Sequence, residues 1–439
     1  MSFRFVRSGA VVFTAAAALA VAGCSSSSSD SSEGATSSST TAQCDNPPQA
    51  TPGPVSTSAL KIGTLLPETG SLAFLGPPMI AGTKLAVKDV NAAGGVLDKP
   101  VQLVTGDSGD TTTDTANATV DRELAAGTQV IVGAASSSVS LKVIDKIANA
   151  GVVMFSPANT SDQFTCYADK GMYFRTAPPD VLQAQALSQT MAGDGVQRVS
   201  ILALNDPYGT GLADNTVKDL EAAGIPSDQI QKIIYDPNAQ SFNAEVDQVK
   251  NFDPDGIAVI GFDESSKILT RMHEVGIGPT DGKKVYGVDG NMGNALGEAV
   301  GTGLLAGMKG TTPLTKTSNE FQAELKVVDP SLIDFNYAGE SYDAVIMSAL
   351  AAAKAKSTDG KAIAANINSI SNGTDKCTTY QQCLDMLGQG KDIRYEGPTG
   401  NLAFSASGEP TNGSYGILEF NAQNKLVEPV GKYITVSAN

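Results

Sequence analysis

Leu60-Lys61-Ile62-Gly63-Thr64-Leu65-Leu66, halted by Pro67, is followed by a helix-forming run from Met79 to Ala93 that stops at Gly94-Gly95. A short apolar run closed by proline reads as a buried strand, and a glycine pair after a periodic segment reads as a helix end. The rhythm repeats. Val101–Val104 reads as a strand, Asp114–Ala126 as a helix, Gln129–Val132 as a strand, Leu141–Ala150 as a helix and Val152–Phe155 as a strand ending at Ser156-Pro157. Strands alternating with helices imply right-handed crossovers and a parallel sheet. A second series starts near Asp180. Its strands are Val199–Leu204, Ile230–Tyr235, Gly256–Phe262 and Lys284–Val288, and its helices Leu212–Ala223, Phe242–Asn251 and Ser265–Val275. The fold class is therefore α/β, with two doubly wound halves.

In open α/β sheets, ligands lie beyond the carboxyl ends of the strands, where loops and helix starts converge. In the first half those ends carry hydroxyls and backbone amides: Ser136, Ser137, Ser138 and Thr160. In the second half they carry Tyr208 and acids that include Asp289. Donors on one side and an acid on the other suit a zwitterion such as an amino acid. Serine and aspartate are also ordinary cap and turn residues, and Tyr208 at a strand end also reads as a packing aromatic.

The start of the chain bears on compartment. Arg4 and Arg7 precede an apolar stretch, Gly9–Val21, too short to span a bilayer, and Val21-Ala22-Gly23-Cys24 closes it. This resembles a bacterial lipoprotein signal, with valine at position 21 where leucine is usual, and it implies that Cys24 becomes the lipidated N-terminus. The other reading is an ordinary secretory signal. Both put the mature protein outside the cytoplasm. The lipid reading adds an anchor on the outer face of the cell membrane, since two acyl groups suffice for stable attachment. Residues 25–40 are almost wholly Ser, Thr, Gly and Ala, and Pro47, Pro48, Pro52 and Pro54 follow. Such a stretch buries too little apolar surface to order itself, so residues 24–58 read as a lipid-anchored flexible tether.

Composition narrows the function classes. The net charge of −16 becomes −18 once residues 1–23, which hold two arginines and no acid, are removed. An acidic surface repels phosphate backbones, so no nucleic acid is expected. The apolar run Ala344–Ala353 is too short to span a membrane. Four cysteines besides Cys24 fit two disulfides in an oxidising compartment, with three possible connectivities. The short spacing favours Cys377–Cys383, which leaves Cys44 for Cys166 and pins the end of the tether. His273 is the sole histidine, so no metal site and no cofactor are expected. No Gly-x-Ser-x-Gly elbow and no phosphate-binding Gly-Lys-Ser/Thr loop occurs, so an extracellular enzyme is the weaker reading.

Several segments in order carry a family resemblance: Lys61-Ile62-Gly63, Val90-Asn91-Ala92-Ala93-Gly94-Gly95-Val96, Ser156-Pro157-Ala158-Asn159-Thr160, Phe174-Arg175-Thr176 and Tyr208-Gly209-Thr210-Gly211-Leu212-Ala213. Over roughly residues 59–435 the chain resembles the branched-chain amino acid (Leu/Ile/Val) binding proteins of ABC importers, which have the type I periplasmic-binding-protein fold. The resemblance implies two lobes joined by a three-stranded hinge that close over a ligand. It implies a monomer that docks on ABC permease subunits. The lobes are expected at 59–178 with 311–400 and at 179–310 with 401–439. The hinge crossings are expected near Ala177–Asp180, Gly310–Thr312 and Gly397–Leu402.

Carried over residue by residue, the resemblance puts the ligand carboxylate on Ser137, beside Ser136. It puts the other first-lobe contacts on Ala158, through its backbone, and on Thr160. In the second lobe Tyr208 and Asp289 are implied, the latter pairing with the ligand amino group. The chain departs from the family pattern in three places. Leu75, with Phe74 beside it, stands where a bulky aromatic is usual. Phe262 is the best match for an aromatic that a one-residue shift would put at Gly261. Asp289 replaces the commoner glutamate. An amino acid leads as ligand class, with urea, short amides and other small organic acids as alternatives, and ligand sensing stands beside transport.

Overall fold

The computed structural model describes residues 44–313, 318–427 and 433–438. The leader, Cys24 and the tether up to residue 43 lie outside the described residues.

The first strands form a parallel sheet: β1 (Lys61–Leu65), β2 (Gln102–Val104), β3 (Val130–Gly133), β4 (Val153–Ser156) and β5 (Tyr173–Arg175), in the order β2-β1-β3-β4-β5. Helices α1 (Gly76–Ala92), α2 (Thr115–Ala125) and α3 (Ser137–Asn149) connect them. Alternate residues of each strand face opposite layers. Val130 and Val132 belong to one apolar cluster, and Ile131 between them belongs to another that holds Val120 of α2 and Val143 of α3. Covering both faces is what makes the central strands β3 and β4 so apolar.

After α4 (Asp180–Gly193) comes a second sheet. Its parallel part comprises β6 (Val199–Leu204), β7 (Ile230–Tyr235), β8 (Gly256–Ile260), β9 (Lys284–Val288) and β10 (Lys309–Pro313). Helices α5 (Pro207–Ala222), α6 (Asn243–Phe252), α7 (Ser265–Glu274) and α8 (Asn294–Ala299) run between them. The chain then returns to the first sheet through α9 (Asn319–Val328), α10 (Ala338–Ala355), α11 (Gly360–Ser371), β11 (Asp375–Cys377), α12 (Tyr380–Gly388) and β12 (Ile393–Tyr395). Helix α10 packs on α1 and α11, and its Ala344–Ala352 stretch fills the core beside Val132 and Phe155. Finally β13 (Asn412–Phe420), β14 (Leu426–Val427) and β15 (Tyr433–Ser437) add antiparallel strands to the second sheet, with β13 against β10.

Three passages are expected to join the two α/β lobes, and residues expected at two of them belong to the lobes themselves. Thr311 and Thr312 sit inside β10, paired with Ile417 and Gly416, so they belong to the second sheet. Leu402 and Phe404 pack in the first lobe's core, so the third passage lies near 405–411. At the first passage, the fully buried Arg175 donates through Nε to Glu409 Oε2 at 3.0 Å and through Nη1 to the Ser161 carbonyl at 2.8 Å. Its backbone N–H reaches the Gly408 carbonyl at 3.0 Å. The first and third passages are thereby tied side by side.

The part of the expected tether that is described does not hang free. Cys44 is disulfide-bonded to Cys166, Gln49 Nε2 donates to the Ala406 carbonyl at 3.0 Å, and the Ser56 backbone N–H donates to Ser357 Oγ at 3.0 Å. Cys377 and Cys383 form the second disulfide. Among the described residues no helix is long and apolar enough to cross a membrane.

Candidate functional site

Both sheets switch direction at comparable points, between β1 and β3 in one and between β6 and β8 in the other. Crevices open at such points, and the loops after β1, β3, β4, β6, β8 and β9 meet around one small pocket. Leu75, Ser136, Ser137, Ala158, Thr160, Tyr208, Phe262 and Asp289 all line it. Phe74 does not; it lines an adjoining apolar space instead.

The first-lobe wall is built on the start of α3. Expected at Leu141, this helix begins four residues earlier because Ser136 caps it, accepting from the Val139 N–H at 3.3 Å. The first N–H groups of a helix lack intrahelical partners and carry partial positive charge, so the Ser136-Ser137 corner is a natural seat for a carboxylate. Ala158 and Thr160 follow β4. The Ala158 N–H is already used by Ser156 Oγ at 3.2 Å, and the Thr160 carbonyl accepts from the Asp180 N–H at 2.7 Å. Leu75 ends the short turn Ala73–Leu75 and is buried, while Phe74 is half-buried.

The second-lobe wall centres on Asp289, which directly follows β9 and is only 5% exposed. Tyr208 is not in a strand-end loop, as expected, but in the first turn of α5, because Asp206 caps that helix through the Gly209 N–H at 2.8 Å and Pro207 opens it. Tyr208 OH donates to Asp289 Oδ1 at 2.8 Å, and its ring stacks on Phe262 with centroids 5.6 Å apart.

Two partners of Asp289 escaped the sequence reading. Gln183 Nε2 donates to Oδ1 at 2.8 Å, and Tyr337 OH donates to Oδ2 at 2.6 Å. Gln183 lies in α4, a helix the sequence reading did not delimit. Tyr337 is held at φ +60° just before α10, where only glycine or asparagine would have signalled such a backbone. Tyr337 joins the site from the first lobe, so this hydrogen bond crosses the cleft. Ser138 Oγ crosses it too, donating to Asp206 Oδ2 at 2.8 Å, and so does Asn294 Nδ2, donating to Asp334 Oδ1 at 2.7 Å.

Burial raises the Asp289 pKa, and the three donors oppose that shift. Burial and the neighbouring Asp289 charge hold Tyr208 and Tyr337 well above the usual phenol range, so both act as neutral donors. Asp180, at the start of α4, is driven well above the carboxylate range by burial and then by the charges of Asp162 and Asp289. The pocket therefore pairs a helix start with a braced carboxylate. A zwitterion leaves neither of its charges unpaired there, and that matters because unpaired buried charges are costly. Among the described residues no three His, Cys, Asp or Glu side chains group as a metal site, and His273 of α7, 39% exposed, stands beside Asp281.

The model of the periplasmic binding protein family matches residues 59–419. The Leu/Ile/Val-binding protein BraC3 of Rhizobium johnstonii is 28% identical over 258 residues, 58% of this chain and 67% of that protein. A chemotactic signal transduction system substrate-binding protein, BasB of Halobacterium salinarum, is 26% identical over 80% of this chain and 85% of its own length. The structure of LivJ from Streptococcus pneumoniae, a branched-chain amino acid transporter substrate-binding protein in complex with isoleucine, superposes with a TM-score of 0.69. It shares 21% identity over 87% of this chain and all of that one. With most of its length matched by the family model and its two lobes superposing on a solved member, the chain belongs to the periplasmic binding protein family.

Proposed function

We propose that this chain is the extracytoplasmic substrate-binding lipoprotein of an ABC importer, taking an amino acid between its lobes and delivering it to permease subunits. The observation that carries this reading is the pairing, in one pocket, of the α3 start at Ser136-Ser137 with the buried carboxylate of Asp289. In this reading the ligand carboxylate sits at the helix start and its ammonium beside Asp289. Ala158, Thr160, Leu75, Tyr208 and Phe262 enclose the remainder. Ligand touching both walls favours the closed form over the open one, and closure is that population shift. The lipid on Cys24 keeps the protein at the outer face of the membrane. The relatives' Leu/Ile/Val-binding names support an apolar amino acid.

Thermal unfolding of the purified protein against amino acids, short amides, urea and small organic acids tests the reading. The chain has no tryptophan, so circular dichroism reports. A ligand at one hundred times its Kd should add roughly 2.7 kcal/mol. A shift with apolar amino acids that Asp289→Asn abolishes is the expected result. A shift only with uncharged amides or simple acids removes the amino-acid assignment. The chemotactic relative favours a second reading, in which the closed form docks on a signalling receptor. Uptake of labelled ligand lost on deleting the gene supports transport, and unchanged uptake with lost taxis supports sensing.

A further inference from the structure

Phe262 and Gly290 line the inner pocket and also a second, larger space outside it, with a volume of about 290 Å³. Ala73, Phe74, Gly293, Ala295, Leu296 and Ala299 supply most of the remaining wall of this annex, beside the polar Ser71, Asp263 and Asn291. Its size is close to the lower end, about 300 Å³, of ordinary small-molecule sites. Its apolar wall comes from both lobes: Ala73 and Phe74 from the turn after β1, Phe262 from the end of β8, Ala295 and Leu296 from α8. Glycine lets this wall pack closely. A Cβ on Gly293 would lie 2.5 Å from Phe74 Cδ2, and one on Gly290 would lie 3.0 Å from Phe262 Cδ1. A side chain at Gly293 would have to displace the Phe74 ring, and one at Gly290 would also meet the Gly261 carbonyl at 2.7 Å.

The inner pocket is much smaller than the annex and holds the polar groups. The two spaces share the Phe262–Gly290 wall, so a ligand whose charged head occupies the inner pocket has a mostly apolar space beside it. A branched-chain side chain is short and leaves much of that space empty.

We propose that the annex houses the side chain of the ligand, and that the preferred ligand is an amino acid with an aromatic side chain larger than leucine's. The assignment rests on the amino-acid reading above. Phe74 and Phe262 supply faces on which a flat ring packs, and ring pairs prefer such offset or edge contacts. The departure at Leu75 fits the same picture. The aromatic bulk of the first loop stands one position earlier, at Phe74, where it borders the annex and not the inner pocket.

Isothermal titration of the whole mature protein with phenylalanine, leucine and 3-phenylpropanoate tests this. The expected result is phenylalanine at least tenfold tighter than leucine. Ala295→Phe, at an exposed position on the annex wall, should then cost phenylalanine at least tenfold more than it costs leucine. Ala299→Phe, exposed on the same wall, is the second variant should the first fail to fold. Leucine binding as tightly as phenylalanine, or equal losses for both in the variants, overturns the annex assignment and leaves the amino-acid reading standing. Phenylpropanoate binding with the same sensitivity at Ala295, with neither amino acid bound, keeps the annex and removes the amino-acid reading. No binding of any of the three overturns both.

Discussion

Tyr337→Phe removes one hydroxyl and keeps the ring, so the packing around it changes little. The lost bond is the 2.6 Å donation to Asp289 Oδ2, made from the first lobe to the second in a fully buried setting. Hydrogen bonds to charged groups contribute about 1.5–3 kcal/mol. Asp289 keeps Gln183 and Tyr208, both on its own lobe, whether the cleft is open or shut. The loss therefore falls on the closed form alone. At about 1.4 kcal/mol per tenfold, the ratio of closed to open protein drops by roughly 10- to 150-fold. Where the free protein is mostly open, the apparent affinity for ligand falls by the same factor. Calorimetric titration of wild type and Tyr337→Phe measures this, with small-angle scattering of the free proteins reporting the closed fraction. A Kd within twofold of wild type, with unchanged scattering, refutes the view that this bond holds the cleft shut.

Three further outcomes are expected. Glu123 and Glu340 are each pushed up to about 8, in both cases chiefly by burial. The folded state keeps protons that the unfolded chain releases near the ordinary glutamate pKa, so stability is full below that value and is lost as pH rises toward 8. Melting followed from pH 6.5 to 8, above the half-buried Asp219 and the buried Asp343 whose values sit at about 6, should show a downward slope that Glu123→Gln reduces and the double glutamine variant reduces further, with Asp180 keeping a share of it. Glu409→Gln strands the buried Arg175 guanidinium, and urea denaturation should show a loss of about 3–5 kcal/mol; a loss below 1 kcal/mol would mean the ion pair is not what holds the passages together. Cys24→Ser should move the protein from the membrane fraction to the soluble extracytoplasmic fraction, and persistence in the membrane would exclude lipidation at that residue.

The halves of this fold were legible because both sheets are covered on each face, which turns central strands such as β3, β4, β6 and β8 into largely apolar runs. Lys284–Val288 and Ser265 as a helix start were read as they stand. Helix starts capped from outside the apolar periodicity were not. Ser136 and Asp206 open α3 and α5 several residues before the first periodic apolar positions, so Ser137 and Tyr208 were read as loop residues. The antiparallel strands β13 and β15 went unread, because β13 is rich in glycine and serine and owes its place to pairing with β10. Within the pocket, residues directly following strands were reachable by the carboxyl-end rule. Tyr337 was not, since it arrives from a helix far along the chain, and its αL backbone carries no glycine or asparagine signal.

The Cys44–Cys166 bond has a mechanical consequence. Cys166 lies between β4 and β5, so a pull arriving along the chain before Cys44 enters the first lobe through a covalent link. The strap from Cys44 to Ser58 spreads that load onto Ser357 and Thr358 of the same lobe, with one contact at Ala406. None of these anchor points is on the second sheet or its helices. The second lobe takes none of that load directly, so a pull on the chain before Cys44 bears on one wall of the cleft and not across it.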